Sequence, residues 1–218
     1  MTIENPLDTL AAWADEAESA GLASPRTLTF ATVGADGAPH ARIVLSTVID
    51  SQHVRFHSSR PTAKTRDIAE NPRASAVFYW PDLSRQVILH GTATELDEAT
   101  SRVAYPTRPR QLQLVAWAYD DVLTEVGVLG AQATPPEETT SRTVASDVPT
   151  STERIAASVA HHGAQDPATL PMPGSWTTIA FVPDRVDLWQ GVGPEVAAHK
   201  ARYDKGADGT WQRSEILP

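Results

Sequence analysis

The chain contains no cysteine, and this absence excludes several kinds of chemistry. Disulfides, thiolate nucleophiles and cysteine-ligated metal or haem sites cannot form. Because no disulfide argues for secretion, the expected location is the reducing cytoplasm. The N-terminal stretch also lacks the basic segment and apolar core of a signal peptide or membrane span, so no membrane partner is expected.

Positive charge is also scarce, with 18 Lys and Arg against 27 Asp and Glu and a formal net charge of -9 at pH 7. This balance argues against non-specific binding to nucleic acid. A local cluster of basic residues can still hold one phosphate. The sequence has no G-x-G-x-x-G motif, no P-loop and no internal repeat, so nothing indicates a parallel nucleotide-binding sheet.

The length of 218 residues fits a single domain, 1–218, with a substantial core. Asn5, Pro6 and Gly21 mark the cap, first turn and end of a helix within 1–22. Further helices are expected at 62–71, 97–102, 112–117 and 150–162, and strands at 27–34, 38–50, 53–59, 74–80, 85–95, 176–183, 185–189, 200–204 and 211–217. Many short strands without β-α-β alternation predict a mostly β protein with peripheral helices, built on an antiparallel barrel.

The stretch 127–149 differs in composition from the rest of the chain. It is rich in Thr, Ser, Ala, Pro and Glu and has no apolar period. This pattern predicts a mobile surface loop, with a lid over a binding site as the alternative.

Cations and hydroxyls cluster in the stretch 42–91. Arg42 opens a β-branched strand, and Lys64 lies just inside a helix whose start is marked by Ser58 and Ser59. Amides at a helix N-terminus, two hydroxyls and two cations suit a phosphate dianion. A basic, serine-rich loop is more often plain solvated surface, so the spacing alone leaves both interpretations open.

Several motifs occur in a fixed order along the chain, namely R-x-V-L, AENPR, FYW, RQV-x-x-x-G, SRVAYPTRPRQLQLVAWA, VDLWQG and a closing W-x-x-x-x-L-P. Together they resemble the pyridoxamine 5′-phosphate oxidase family of FMN-binding split β-barrel flavoproteins. The resemblance covers nearly the whole chain except about residues 120–172. The opening LTFATVGADGAPHARIV is similar to the flavin oxidases of phenazine pathways. The resemblance implies a split β-barrel, FMN as cofactor and a homodimer that closes two FMN sites.

The resemblance also implies which residues bind FMN. Arg42, Ser58 and Lys64 match phosphate contacts, and the polar edge of the ring meets Gln86. The full implied set is Arg42, Ile43, Val44, Leu45, Thr47, His57, Ser58, Lys64, Gln86, Trp189 and Lys200. Read from the residues alone, Gln86 could simply face water and Trp189 could belong to the core.

Some cofactor positions depart from the family pattern. The departures are His57 for a tyrosine, Ala63 for the arginine before the lysine, Lys200 for a last-strand arginine, and Asp121 with Val122 for a polar pair after the A-W helix. Lys200 keeps the charge of an arginine without its fork geometry. Arg60 or Arg66 could supply the missing guanidinium.

The substrate positions depart further. In the vitamin enzyme of this family they hold the substrate phosphate and the pyridine, and here they read Thr47, Ala104, Arg108, Leu112, Val196 and Ala198. Only Arg108 remains of the polar set, so a pyridoxine phosphate substrate is not expected. Tyr105 and His199 each lie one place from a missing group and could restore part of a polar site.

No catalytic residue or metal site is indicated by the sequence. His161 and His162 are adjacent at a helix end and point to different faces, so we interpret them as solvated surface and not as metal ligands. Hydride transfer to a flavin requires that the substrate be positioned beside the ring, and it does not depend on an obvious general base.

The sequence therefore predicts an FMN-dependent oxidase that acts on a reduced or amine-bearing heterocycle and passes electrons to dioxygen. Two alternatives remain open, a genuine pyridoxamine or pyridoxine 5′-phosphate oxidase and a split barrel that binds flavin or haem without turnover. A deazaflavin in place of FMN is a third possibility.

Overall fold

The computed structural model describes residues 5–129, 144–166, 169–193 and 195–218. The strands are β1 (Thr27–Val33), β2 (Pro39–Ile49), β3 (Val54–Ser59), β4 (Arg73–Trp80), β5 (Arg85–Glu95), β6 (Trp176–Gln190), β7 (His199–Lys205) and β8 (Trp211–Glu215). The helices are α1 (Pro6–Ser19), α2 (Ala63–Glu70), α3 (Glu98–Ala104), α4 (Arg110–Glu125) and α5 (Thr152–Gly163). Most of the loop predicted at 127–149 lies outside the described residues.

The strands form one sheet in the order β3-β2-β1-β4-β5-β6-β7-β8. An additional pairing of β3 with β6 closes the first six strands of that order into a barrel. The pairs β1 with β2, β1 with β4, and β4 with β5 are antiparallel, as are the hairpins of β6, β7 and β8. The prediction of a mostly β protein with peripheral helices is therefore confirmed.

The chain groups into two compact units. The first consists of Met1–His57, Asp67–Thr94 and Ile179–Pro218, and the second of Ser58–Arg66 and Glu95–Thr178. The single domain expected from the sequence stays a prediction. None of the helices in the described residues is long and apolar enough to cross a membrane.

Helix α1 covers part of the core of the first unit. The side chain of Asn5 accepts a hydrogen bond from the Leu7 amide, and proline follows in the first turn, as the sequence predicts. Its buried residues are Pro6, Leu7, Leu10, Ala14 and Ala17. Barrel side chains complete the core, with the ring of Phe30 in edge contact with the rings of Phe56 and Phe181 at 4.8 and 5.6 Å.

Strand β6 corrects the prediction of two strands at 176–183 and 185–189, because it runs unbroken from Trp176 to Gln190. Proline 183 does not interrupt it, since the fixed φ of proline is compatible with extended chain and only one amide donor is lost. The strand passes very close to Gly91, where a Cβ atom would lie 2.1 Å from the carbonyl oxygen of Val182. Only glycine allows this approach.

Helices α3, α4 and α5 belong to the second unit. The helix expected at 97–102 begins with Asp97 as its predicted cap, and Asp97 does cap α3 by accepting a bond of 2.7 Å from the amide of Thr100. Leu112, Val115 and Ala116 in the sequence predict one buried side for helix α4, but Leu112 and Val115 are each 38% exposed and only Ala116 of the three is buried. The buried residues are Gln113, Ala116, Ala118, Val122 and Leu123. The polar side chain of Gln113 can be buried in this helix because its amide donates to carbonyl oxygens of the preceding turn.

Candidate functional site

The outer face of the barrel in the first unit carries an apolar surface. Cross-strand pairing places Ile43, Thr29, Val77 and Ile88 in one row across β2, β1, β4 and β5. Alternation along β2 puts Leu45 on the same face as Ile43, and these side chains are 45% and 66% exposed. A flat, exposed apolar surface of this kind can pack against a planar ring system.

One amide side chain lies on this outer face. Gln86 pairs directly with Tyr79 across β4 and β5, and the Tyr79 side chain is 60% exposed. Because residues two apart on a strand share a face, Gln86 and Ile88 both point outward from β5. The surface therefore offers an amide donor and acceptor beside an apolar wall.

Trp189 and Lys200 are direct partners across β6 and β7, and both are half-buried. A Cβ atom at Gly191 would lie 3.3 Å from the indole of Trp189 and 3.0 Å from Cβ of Ser84, so the tryptophan lies against the chain that follows it. His199 is exposed at the start of β7. The cofactor roles of Trp189 and Lys200 and the substrate role of His199 stay predictions.

Arg42 lies on the inward face of β2, opposite the buried Phe30. Its Nη1 donates to Oγ1 of Thr32 at 2.7 Å, to the carbonyl oxygen of His40 at 2.9 Å and to that of Phe30 at 3.3 Å. Nη2 lies 3.9 Å from Oδ2 of Asp67. Burial lowers the pKa of Arg42, and the charge of Asp67 opposes that shift. The three hydrogen bonds of Nη1 hold the guanidinium in one orientation.

The sequence did not single out Thr32, His40 or Asp67 as functional residues. A usable signal was present, because Thr32 and His40 occupy strand positions in phase with the buried side of β1 and β2. Polar side chains at inward positions need partners there. The partner itself, Asp67, comes from α2, and no local pattern connects that helix to β1.

Two other residues of the predicted cofactor set contact each other in the first unit. Oγ1 of Thr47 lies 3.2 Å from Nε2 of His57 and donates to the carbonyl oxygen of Arg55 at 3.3 Å. His57 stands where the resemblance implies a tyrosine, and its ring contacts Thr47 in this chain. The hydroxyl of Thr47 is largely occupied by these partners.

In the second unit, the side chains of Ser58 and Lys64 come together. Nζ of Lys64 donates to Oγ of Ser58 at 2.8 Å, and that hydroxyl donates to the carbonyl oxygen of Ser59 at 2.7 Å. Helix α2 is capped by Thr62 and Thr65, which exchange amide-to-hydroxyl bonds of 2.8 and 3.4 Å. The amide of Thr65, one of the helix-start amides that the sequence analysis considered for a phosphate, is therefore already bonded to Thr62.

The predicted substrate residues Tyr105 and Arg108 lie at the start and just after the end of a short turn, Tyr105–Thr107, in the second unit. Tyr105 is only 1% exposed, its hydroxyl donates to the carbonyl oxygen of Gln113 at 3.2 Å, and burial raises its pKa to about 12. A substrate contact through this hydroxyl would require that bond to break. Burial also lowers the pKa of Arg108, and its Nε has no hydrogen-bond partner among the described residues.

His162 corrects the prediction that both histidines of α5 are solvated surface, because it is 6% exposed. Its Nε2 lies 3.0 Å from Oδ2 of Asp121, and its ring stacks on Trp117 at 4.5 Å. Ser158 donates to the same carboxylate at 2.5 Å. Asp121 thus serves the packing of α4 against α5. In the part of the chain that the structure describes, no group of His, Asp and Glu is arranged to hold a metal ion.

Comparison with known proteins agrees with this architecture. The family model described as pyridoxamine 5′-phosphate oxidase matches residues 14–146. A pyridoxine/pyridoxamine 5′-phosphate oxidase of Salinibacter ruber is 32% identical over 216 residues, covering 99% of this chain and 90% of the relative. Its counterpart in Chromobacterium violaceum is 31% identical over 206 residues, covering 94% of this chain and 85% of the relative.

Two solved structures share the fold. PhzG from Burkholderia lata 383, in complex with tetrahydrophenazine-1-carboxylic acid, has a TM-score of 0.77 at 20% identity and covers 98% of this chain and 93% of its own. A pyridoxamine 5′-phosphate oxidase-related, FMN-binding protein of Nostoc punctiforme has a TM-score of 0.72 at 16% identity and covers 100% of both chains. With the family match and the two relatives above 30% identity, the chain belongs to the pyridoxamine 5′-phosphate oxidase family.

Proposed function

We propose that this protein is an FMN-dependent oxidase of a reduced or amine-bearing heterocycle other than pyridoxine 5′-phosphate, with dioxygen as electron acceptor. The class of the enzyme, an oxidoreductase with FMN as cofactor, follows from the family. The observation that carries the substrate part is the apolar character of the predicted substrate positions. Leu112 and Val196 are exposed where the vitamin enzyme has polar groups.

The residues present fit FMN. The outer face with Ile43 and Leu45 can form a wall against the isoalloxazine, and the Gln86 amide can bond its polar edge. Arg42 is a fixed cation suited to the phosphate. When bound, FMN supplies the hydride acceptor. The chain's own task is to orient the substrate and to exclude water, so no general base is needed.

We infer the substrate class from the single positive charge that remains at the predicted substrate positions. Arg108 is the one cation kept from the family's substrate set, and its buried Nε has no partner among the described residues. A carboxylate would satisfy that donor through a charge-assisted bond worth about 1.5–3 kcal/mol. Apolar residues at the other predicted substrate positions, such as Leu112, suit a larger ring system than pyridine. We infer a singly charged, carboxylated heterocycle, the chemistry that PhzG holds in its own complex.

The proposal is tested first by the cofactor. The purified protein should be yellow, and mass spectrometry of the pigment released on denaturation should identify FMN. A colourless protein, or one that holds a deazaflavin or haem, would contradict the cofactor assignment.

A genuine pyridoxine 5′-phosphate oxidase is the second candidate function. It is favoured by the names of relatives that are 31% and 32% identical over almost the whole chain. The two candidates differ in a measurable quantity, the turnover of pyridoxine 5′-phosphate.

Lys64 should contribute to the affinity for FMN through the phosphate. Lys64→Ala removes an ammonium whose contact with Ser58 prepares it for an anion, and one charge-assisted bond is worth about 1.5–3 kcal/mol. We expect the Kd for FMN to rise at least about tenfold while the Kd for riboflavin, which has no phosphate, stays constant. Lys205→Ala, which removes an ammonium over the ring of Trp211, is the matched control. An unchanged Kd for FMN in the Lys64 variant would remove this residue from the site.

The protein should be a homodimer. The exposed side chains of Ile43, Leu45 and Tyr79 form a contiguous apolar surface that a second copy, together with the cofactor, can cover. Sedimentation equilibrium of the FMN-loaded protein should give twice the mass of the chain, and Ile43→Glu should shift it toward the monomer. A folded, FMN-loaded monomer at all concentrations would contradict this prediction.

A further inference from the structure

A buried carboxylate lies beside Arg42 in the first unit. The side chain of Asp67 is 0% exposed. Its Oδ2 accepts a bond of 2.6 Å from Oγ1 of Thr32 and lies 2.8 Å from Nδ1 of His40. Burying a carboxylate lowers the stability of the fold unless hydrogen-bond donors contact it, and Thr32 and His40 provide such donors to Oδ2 of Asp67. Neither the family resemblance nor the proposed function assigns a role to this residue.

The direction of each hydrogen bond follows from the donors available. Arg42 can only donate, so Oγ1 of Thr32 accepts from its Nη1 at 2.7 Å. The single hydroxyl proton of Thr32 is then directed to Asp67. Because the carboxylate accepts, Nδ1 of His40 carries the proton in that contact. The result is a continuous chain from Arg42 through Thr32 to Asp67, in which each bond polarises the next.

The same chain leaves part of the guanidinium available. Within the described residues, the hydrogen bonds of Arg42 all come from Nη1. Nη2 is 3.9 Å from Asp67, beyond hydrogen-bond distance. The protons on Nη2 and Nε can therefore meet a ligand while Nη1 fixes the plane of the group. A preoriented guanidinium loses less entropy on binding an anion than a free one.

We propose that Asp67 is a positioning residue for Arg42, and that through Thr32 it sets the affinity of the protein for the phosphate of FMN. This inference rests on the proposed function, in which Arg42 contacts that phosphate. The competing explanation is that Asp67 only stabilises the fold of the first unit. The two explanations differ in one quantity, the ratio of the Kd for riboflavin to the Kd for FMN, because riboflavin lacks the phosphate.

The experiment titrates the full-length chain, freed of bound flavin, with FMN and with riboflavin, and follows the quenching of flavin fluorescence. Asp67→Asn should weaken FMN binding about tenfold, the effect of one lost charge-assisted bond, and leave riboflavin binding unchanged. Thr32→Val should lower the ratio similarly, and Thr32→Ser, which keeps the hydroxyl, should preserve it. Asp50→Asn is the matched control, since Asp50 contacts Nδ1 of His53 at 2.7 Å in another turn.

Arg42→Ala separates this inference from the proposed function. If that variant leaves the ratio unchanged, Arg42 does not bind the phosphate, and both the phosphate role and the positioning role are overturned. If Arg42→Ala lowers the ratio and both Asp67→Asn and Thr32→Val leave it intact, the positioning role alone is overturned. Should Asp67→Asn fail to fold, the pair Thr32→Val and Thr32→Ser decides, and equal ratios in that pair overturn the inference.

Discussion

Pyridoxine and pyridoxamine 5′-phosphate should be oxidised by the FMN-loaded protein far more slowly than about 1 per second, an ordinary enzymatic rate. The predicted substrate positions lack a cation and two hydroxyls that would hold the phosphate dianion, with Thr47, Ala104 and Leu112 in their places. Each charge-assisted bond lost costs about 1.5–3 kcal/mol. The measurement is steady-state oxygen consumption with each phosphate as the substrate.

The control for this prediction restores two of the three lost groups. Thr47→Lys combined with Leu112→Ser should raise the turnover of pyridoxine 5′-phosphate above that of the parent protein. Turnover by the unmodified protein at an ordinary rate would establish the vitamin function instead. Tyr105 and His199 would then be the first residues to test, and the hydroxyl of Tyr105 would have to leave Gln113.

Gly91→Ala should destabilise the protein severely. A Cβ atom at this position would lie 2.1 Å from the carbonyl oxygen of Val182 and 2.7 Å from Cα of Pro183. Both are backbone atoms of β6, so no side chain can rotate away, and β5 and β6 would have to separate. Overpacking costs about 1–3 kcal/mol even where side chains can adjust, and we expect at least the upper value.

Thermal unfolding measures this effect. For a chain of this size each kcal/mol lowers Tm by about 2–4 °C, so a fall of at least about 6 °C is expected. Gly174→Ala is the matched control, since the atom nearest to its new Cβ, Oδ1 of Asp120, would be 3.8 Å away, an ordinary contact. An unchanged Tm for Gly91→Ala would show that the two strands are not so close.

Local signals in the sequence were sufficient for most of the fold. Asn5 and Asp97 were recognisable as caps because a cap needs only a few neighbouring residues, and both bonds are present. The alternation of β1 likewise follows from short-range pattern. The unbroken β6 could not be predicted, because a proline in a strand is acceptable only where its partner strand allows it, as Gly91 does here.

The candidate site was less accessible to sequence reasoning. Arg42 and Gln86 could be named because the family motifs contain them, but their surroundings depend on contacts across the sheet. Asp67 contacts Thr32, which is 35 positions away in the sequence, and His162 contacts Asp121, which is 41 positions away. No sequence motif of fixed spacing links the two members of either pair. Both include a histidine or an aspartate that, taken alone, has the pattern of solvated surface.

The most direct test of the central claim is anaerobic reduction of the protein-bound flavin by a reduced, carboxylated heterocycle. An FMN-dependent oxidase should lose its visible flavin absorbance on mixing with the substrate and regain it when air is admitted, with the oxidised heterocycle as product. If a chemical reductant bleaches the flavin and no reduced heterocycle does, the protein is a flavin carrier and the oxidase function is contradicted.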